Sequence, residues 1–84
     1  MIACIWEYFG KDSQGTAEHF EKHLKEFIKI KNVKNTYTGL QSKKEIQSFV
    51  WCAGKKEDLT LIIEFLKPKH FLTNEHFKDF GINL

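Results

Sequence analysis

Apolar and aromatic residues fill two stretches of the chain almost without interruption. Ile2–Phe9 is one of them, and Ile46–Ala53, which ends at Gly54, is the other. This composition, rich in β-branched and aromatic side chains, predicts two strands. Neither stretch has a polar face when alternate residues are assigned to opposite sides, and strands of this kind are usually covered on both sides.

The clearest amphipathic pattern lies at Thr16–Ile30. Apolar residues recur there at helical spacing and form one stripe, with lysines and glutamates on the other side. The pattern predicts a helix that is capped by Thr16 and ended by Asn32. After it, Val33–Gln41 predicts a more polar strand and Ser42–Glu45 a turn, so this part of the chain forms a hairpin with the second aromatic strand.

Asp58–Leu66 fits two patterns. As a strand, four apolar residues alternate with their neighbours, and Ile62 interrupts the alternation: Leu59, Leu61, Ile63 and Phe65. As a helix, a different set shares one face: Leu59, Ile62, Ile63 and Leu66. We favour the strand because the segment is short and rich in β-formers, and Pro68 ends it in either case.

Thr73–Phe80 predicts a short C-terminal helix that stops at Gly81. The predicted fold is therefore one α+β domain over residues 1–84, a small antiparallel sheet with one main helix packed on one face. The order is β-α-β-β-β-α, or the ferredoxin-like β-α-β-β-α if residues 58–66 are helical.

The second face of this sheet decides our functional expectation. It must be covered by the C-terminal helix, by another copy of the chain or by a ligand, and Phe71, Phe77 and Phe80 offer little area for a whole face. A residual apolar patch commonly marks an interaction site. The sequence therefore favours a non-enzymatic module that acts without a cofactor, by self-association as a homodimer or by capture of a protein partner.

Composition narrows the class of partner and the compartment. The net charge is only +2, and all 13 basic residues are lysine, which disfavours sequence-specific reading of nucleic acid. Cys4 and Cys52 lie inside the apolar strands and are expected to be small core residues, although they could share a face. No apolar run has the length of a signal or membrane segment, so we expect a cytoplasmic protein with reduced thiols and no membrane partner.

The strand aromatics are the candidate binding residues: Trp6, Tyr8, Phe49 and Trp51. Aromatic side chains on a sheet can stack nucleobases, so a single-stranded nucleic-acid binder that uses them with flanking lysines is the alternative function. The strand Ile46–Cys52 lacks the glycines and the basic residue of the RNA-recognition signature. Core packing is the favoured role for these aromatics.

A third alternative is a small-molecule or metal-dependent enzyme. His19 and His23 are four residues apart on the predicted helix and could bind one metal ion. Their sequence, His-Phe-Glu-Lys-His, differs from the metalloprotease motif, and half-covered boundary histidines are the simpler interpretation. Glu7, a carboxylate in an aromatic strand, is a candidate acid or base, and we assign no catalytic residue.

Overall fold

The computed structural model describes residues 1–43 and 46–84, and Lys44 and Glu45 of the predicted turn lie outside the described residues. The strands and α-helices, in chain order, are β1 (Ile2–Phe9), α1 (Ser13–Ile30), β2 (Tyr37–Lys43), β3 (Gln47–Gly54), α2 (Thr60–Leu66) and β4 (His70–Thr73). Short 3-10 helices precede α2 (Lys56–Leu59) and follow β4 (Asn74–Phe80). The strands pair antiparallel in the order β2-β3-β1-β4, which confirms the α+β class.

The helical alternative for residues 58–66 is the correct one, and the preferred strand assignment is wrong. Leu59 and Ile62 are fully buried, whereas Leu61 and Phe65, which the strand pattern would bury, are 38% and 58% exposed. The three-residue spacing of the buried Leu59 and Ile62 therefore identifies this segment as a helix. Ile62 interrupts the alternation expected of a strand because it is a core residue. With β4 added, the chain has the ferredoxin-like order β-α-β-β-α-β.

Helix α1 begins at Ser13, three residues before the predicted Thr16. The Ser13 side chain is buried against the sheet. The Ser13 hydroxyl lies 3.3 Å from that of Ser48 in β3, which lies 3.1 Å from the hydroxyl of Ser42 in β2. Thr16 donates to the Asp12 carbonyl at 3.1 Å, within the first turn. These contacts fix the start of α1 against the sheet.

Helices α1 and α2 cover one side of the sheet, which we call the helix face. Its buried residues are Cys4, Trp6, Ala17, Leu24, Val50, Cys52, Leu59 and Ile62. The Trp6 indole Nε1 donates to the carbonyl of Leu66 at 2.9 Å, so β1 holds the last residue of α2. This bond satisfies one of the carbonyls that a helix end leaves free.

The opposite side, which we call the tail face, is covered by residues 74–84, the C-terminal segment. Its buried residues are Ala3, Ile5, Phe49, Trp51, Ala53, Phe77 and Ile82. The segment is also tied to β2, because Gln41 Nε2 donates to the Gly81 carbonyl at 3.0 Å. Gly81 has a φ of +73°, the left-handed conformation that ends a helix at glycine. Among the described residues, no helix combines the length and apolarity needed to cross a bilayer.

Candidate functional site

The four aromatic residues predicted to form a binding face divide between the two faces of the sheet. Trp6 and Tyr8 lie on the helix face, with ring centroids 4.8 and 6.1 Å from that of Phe20. Phe49 and Trp51 lie on the tail face, beneath the C-terminal segment. Trp6, Phe49 and Trp51 are at most 7% exposed. The four side chains therefore do not form one continuous exposed surface.

Trp51 lies across a glycine of the neighbouring strand. Gly39 is its register partner in β2, and a Cβ placed on Gly39 would overlap the Trp51 indole. The indole Nε1 is buried and has no hydrogen-bond partner among the described residues. The Trp51 side chain is therefore positioned by its contact with the backbone of Gly39, and among the described residues no hydrogen bond to Nε1 contributes. The sequence shows Gly39 in a polar strand, which is the only signal for this arrangement.

The two cysteines are free, fully buried and directly opposite each other in the pairing of β1 with β3. Burial raises the pKa of the Cys4 thiol to about 11. Burial, as the larger cause, and the neighbouring Cys4 thiol, as the smaller one, raise the pKa of the Cys52 thiol to about 12. Because the thiolate is the reactive form, these residues pack the core and are poor nucleophiles near neutral pH.

Glu7 is held by two polar side chains on the tail face. One carboxylate oxygen contacts His70 Nε2 of β4, and the other accepts a hydrogen bond from Gln47 Nε2 of β3 at 3.0 Å. The Glu7 side chain is 16% exposed. The carboxylate therefore has partners on both neighbouring strands. The histidine partner was missed because β4 was not predicted.

His19 and His23 lie together on the exposed side of α1, as their spacing predicts. Their Nε2 atoms are 3.0 Å apart, and the two rings are nearly perpendicular. On the other side of the His23 ring, Nδ1 lies 3.8 Å from Glu26 Oε2. The described residues contain no group of three or more histidine, cysteine, aspartate or glutamate side chains placed to hold a metal ion.

A groove that sequence reasoning did not find lies beside β4. It has a volume of about 380 Å³, and its lining is apolar except for Lys56: Ile2, Lys56, Ile63 and Phe71. Among the described strands, β4 lies at one edge of the sheet and pairs with β1 alone. Phe71, assigned from sequence to the cover of the second face, is instead 53% exposed and points to the helix side, since it pairs with Cys4.

No protein-family model, curated protein or solved structure matches this chain. The groove, the edge of β4 and the histidine pair are therefore interpreted from their own geometry.

Proposed function

We propose that the protein is a non-enzymatic module that acts as a symmetric homodimer, formed when two copies pair along their β4 edges. The supporting observation is the apolar groove of Ile2, Ile63 and Phe71 next to an edge strand. An edge strand presents unpaired backbone groups to a further strand, and an exposed apolar strip beside it adds surface to bury. A second copy of the chain supplies both features at once.

The alternation of side chains restricts how two β4 strands can meet. Residues directly opposite each other in an antiparallel pair point to the same face of the sheet. A two-fold axis perpendicular to the sheet therefore pairs residues of equal parity. We place Phe71 opposite the partner's Phe71, because this register brings the two exposed phenyl rings together on the helix side.

Charge complementarity favours the same arrangement. Lys67 and Lys69 precede β4, and Glu75 follows it. Antiparallel pairing brings the two lysines of one copy toward the partner's Glu75, so opposite charges lie close together at each end of the interface. The edge left free is β2, whose last residues are polar: Gln41, Ser42 and Lys43. We therefore expect the sheet to extend once, giving eight strands from two copies and no fibre.

The expected affinity of the dimer follows from the size of this interface. Phe71 is 53% exposed, which corresponds to about 100 Å² of ring surface in each copy. Burying both rings contributes about 5 kcal/mol at 25 cal/mol per Å². This is close to the smallest cost of association. The net affinity must therefore come from the backbone hydrogen bonds of the new strand pair, at about 1 kcal/mol each. About four such bonds give a dissociation constant of about 1 mM.

The test is solution mass by light scattering from about 10 µM to about 1 mM chain. Phe71→Lys places a charge in the proposed interface. Phe9→Lys makes the same change at another strand phenylalanine, whose side chain is 69% exposed. The wild-type mass should rise toward twice the chain mass, Phe9→Lys should follow it, and Phe71→Lys should stay monomeric. Urea unfolding of the three proteins shows whether each remains folded.

Two outcomes would overturn the proposal. One is a wild-type protein that remains monomeric at the highest concentration, which would leave the edge to a different partner. The other is a dimer that Phe71→Lys and Phe9→Lys weaken equally, which would place the interface elsewhere.

We also propose that the protein resides in the cytoplasm. Support comes from Cys4 and Cys52, which face each other across adjacent strands and are both free thiols. A reducing compartment keeps such thiols unpaired. Thiol counting in protein isolated under alkylating conditions should find two free thiols per chain, and a disulfide between them would contradict this assignment.

A further inference from the structure

We infer that His19 and His23 form a binding site for a divalent transition-metal ion with tetragonal or octahedral geometry, such as Ni²⁺ or Cu²⁺. The site lies on α1, and it is independent of the proposed dimer. Its two protein donors are the Nε2 atoms, and water supplies the remaining ligands.

The distance between the two donors fits such an ion. Nitrogen ligands about 2.1 Å from a metal and at a right angle to each other are about 3.0 Å apart. The Nε2 atoms of His19 and His23 are separated by 3.0 Å. A tetrahedral ion would need about 3.4 Å between its donors. The existing geometry therefore favours an ion that accepts two ligands in adjacent positions at a right angle.

Both donors are available on the surface. The His23 side chain is 57% exposed, and His19 is also exposed. The 3.0 Å separation of the two Nε2 atoms fits a hydrogen bond with one imidazole as the donor and the other as the acceptor. Metal binding requires both Nε2 atoms to be unprotonated, so each ring that coordinates the ion carries its proton on Nδ1.

Glu26 acts as a positioning residue for His23. Its carboxylate lies 3.8 Å from Nδ1, on the side of the ring away from the metal donor. A carboxylate at this distance is an electrostatic partner that favours the tautomer with its proton on Nδ1, which leaves Nε2 free. Lys22, between the histidines in sequence, is exposed and bears a positive charge that does not help binding.

Calorimetric titration with Ni²⁺ tests the site in the full chain. The wild-type protein should bind one ion per chain, and His19→Ala and His23→Ala should each weaken binding by more than about tenfold. Glu26→Gln should weaken it by about tenfold or less and should also shift the ¹⁵N signals of His23 toward the other tautomer. That spectroscopic change would not follow from a general loss of structure.

His76→Ala is the matched control. His76 is another exposed histidine beside a carboxylate, with Nδ1 3.4 Å from Asp79 Oδ2, and its described contacts include no second imidazole. It should bind Ni²⁺ like the wild type. Equal affinity of the wild type, His19→Ala and His23→Ala would overturn the inference, as would loss of binding in His76→Ala. Urea unfolding of each variant without metal shows that the helix is intact.

Discussion

Replacing Gly39 by alanine adds one methyl group at the place where the Trp51 indole crosses β2. The Cβ would overlap indole carbon atoms and Nε1. Trp51 is 7% exposed and lies in the same core cluster as Phe77 and Ile82. The ring therefore cannot move away without displacing the C-terminal segment that covers the tail face.

The sign of the effect separates this steric cost from backbone propensity. Gly39 does not have a positive φ. A strand glycine replaced by alanine without a clash would gain about 0.5–1 kcal/mol. Overpacking of a filled core costs about 1–3 kcal/mol. We expect a net loss of about 1–2 kcal/mol in the free energy of unfolding.

Gly15→Ala is the matched substitution with the opposite expectation. Gly15 lies in α1, and nothing lies within 4 Å of a Cβ built there. Alanine should stabilise the protein by up to about 1 kcal/mol. Urea unfolding followed by circular dichroism measures both variants, and tryptophan fluorescence reports whether the Trp51 environment has changed.

A double-mutant cycle gives the decisive comparison. In a Trp51→Leu background the smaller side chain should accept the added methyl, so Gly39→Ala should cost at least about 1 kcal/mol less than in the wild type. The same cost in both backgrounds would refute the explanation by the indole. A Gly39→Ala protein as stable as Gly15→Ala would refute it as well.

Two further predictions concern the helix face. Because burial raises the thiol pKa values of Cys4 and Cys52 to about 11 and about 12 from 9.0, the unfolded chain loses these protons first as the pH rises. The free energy of unfolding should therefore fall above about pH 9, by up to about 1.4 kcal/mol per pH unit for each thiol. Urea unfolding between about pH 8 and 10.5 should show a shallower fall for the double alanine variant, and equal slopes would count against thiol burial as the cause. Trp6→Phe removes the donor to the Leu66 carbonyl and should cost about 1–3 kcal/mol, whereas an unchanged urea midpoint would show that this bond is not important.

Local pattern predicted the elements whose identity depends on neighbouring residues. The strand at Ile2–Phe9 and the helix ending at Ile30 were expected within a few residues of their observed bounds. The hairpin of β2 and β3 was also expected. Gly81 ends the last helix as predicted. For each of these elements, the spacing of the hydrophobic residues and the position of the turn residues predict the same secondary structure.

Two features depended on distant contacts and were missed or assigned wrongly. In α2, seven residues are too few for periodicity to separate helix from strand, and packing against the helix face decides it. Strand β4 has only four residues and pairs with β1, far away in sequence. No local signal identifies a strand that short.

The candidate sites show the same division. The proximity of His19 and His23 follows from helical spacing alone, and the structure adds the distance. The contact of Glu7 with His70 and the groove beside Phe71 both require β4. These features could not be derived until the position of that strand was known.

The strand order has a consequence for synthesis of the chain. Strand β1 is made first, yet it lies inside the sheet between β3 and β4. During translation, which proceeds from the N-terminus, this aromatic strand emerges from the ribosome with neither neighbour available. One side of it is paired only after β3 emerges, and the other only after β4. The nascent chain therefore carries an apolar, aromatic strand that stays unpaired until β3 emerges, so the helix that follows β1 and any bound chaperone are its early protection.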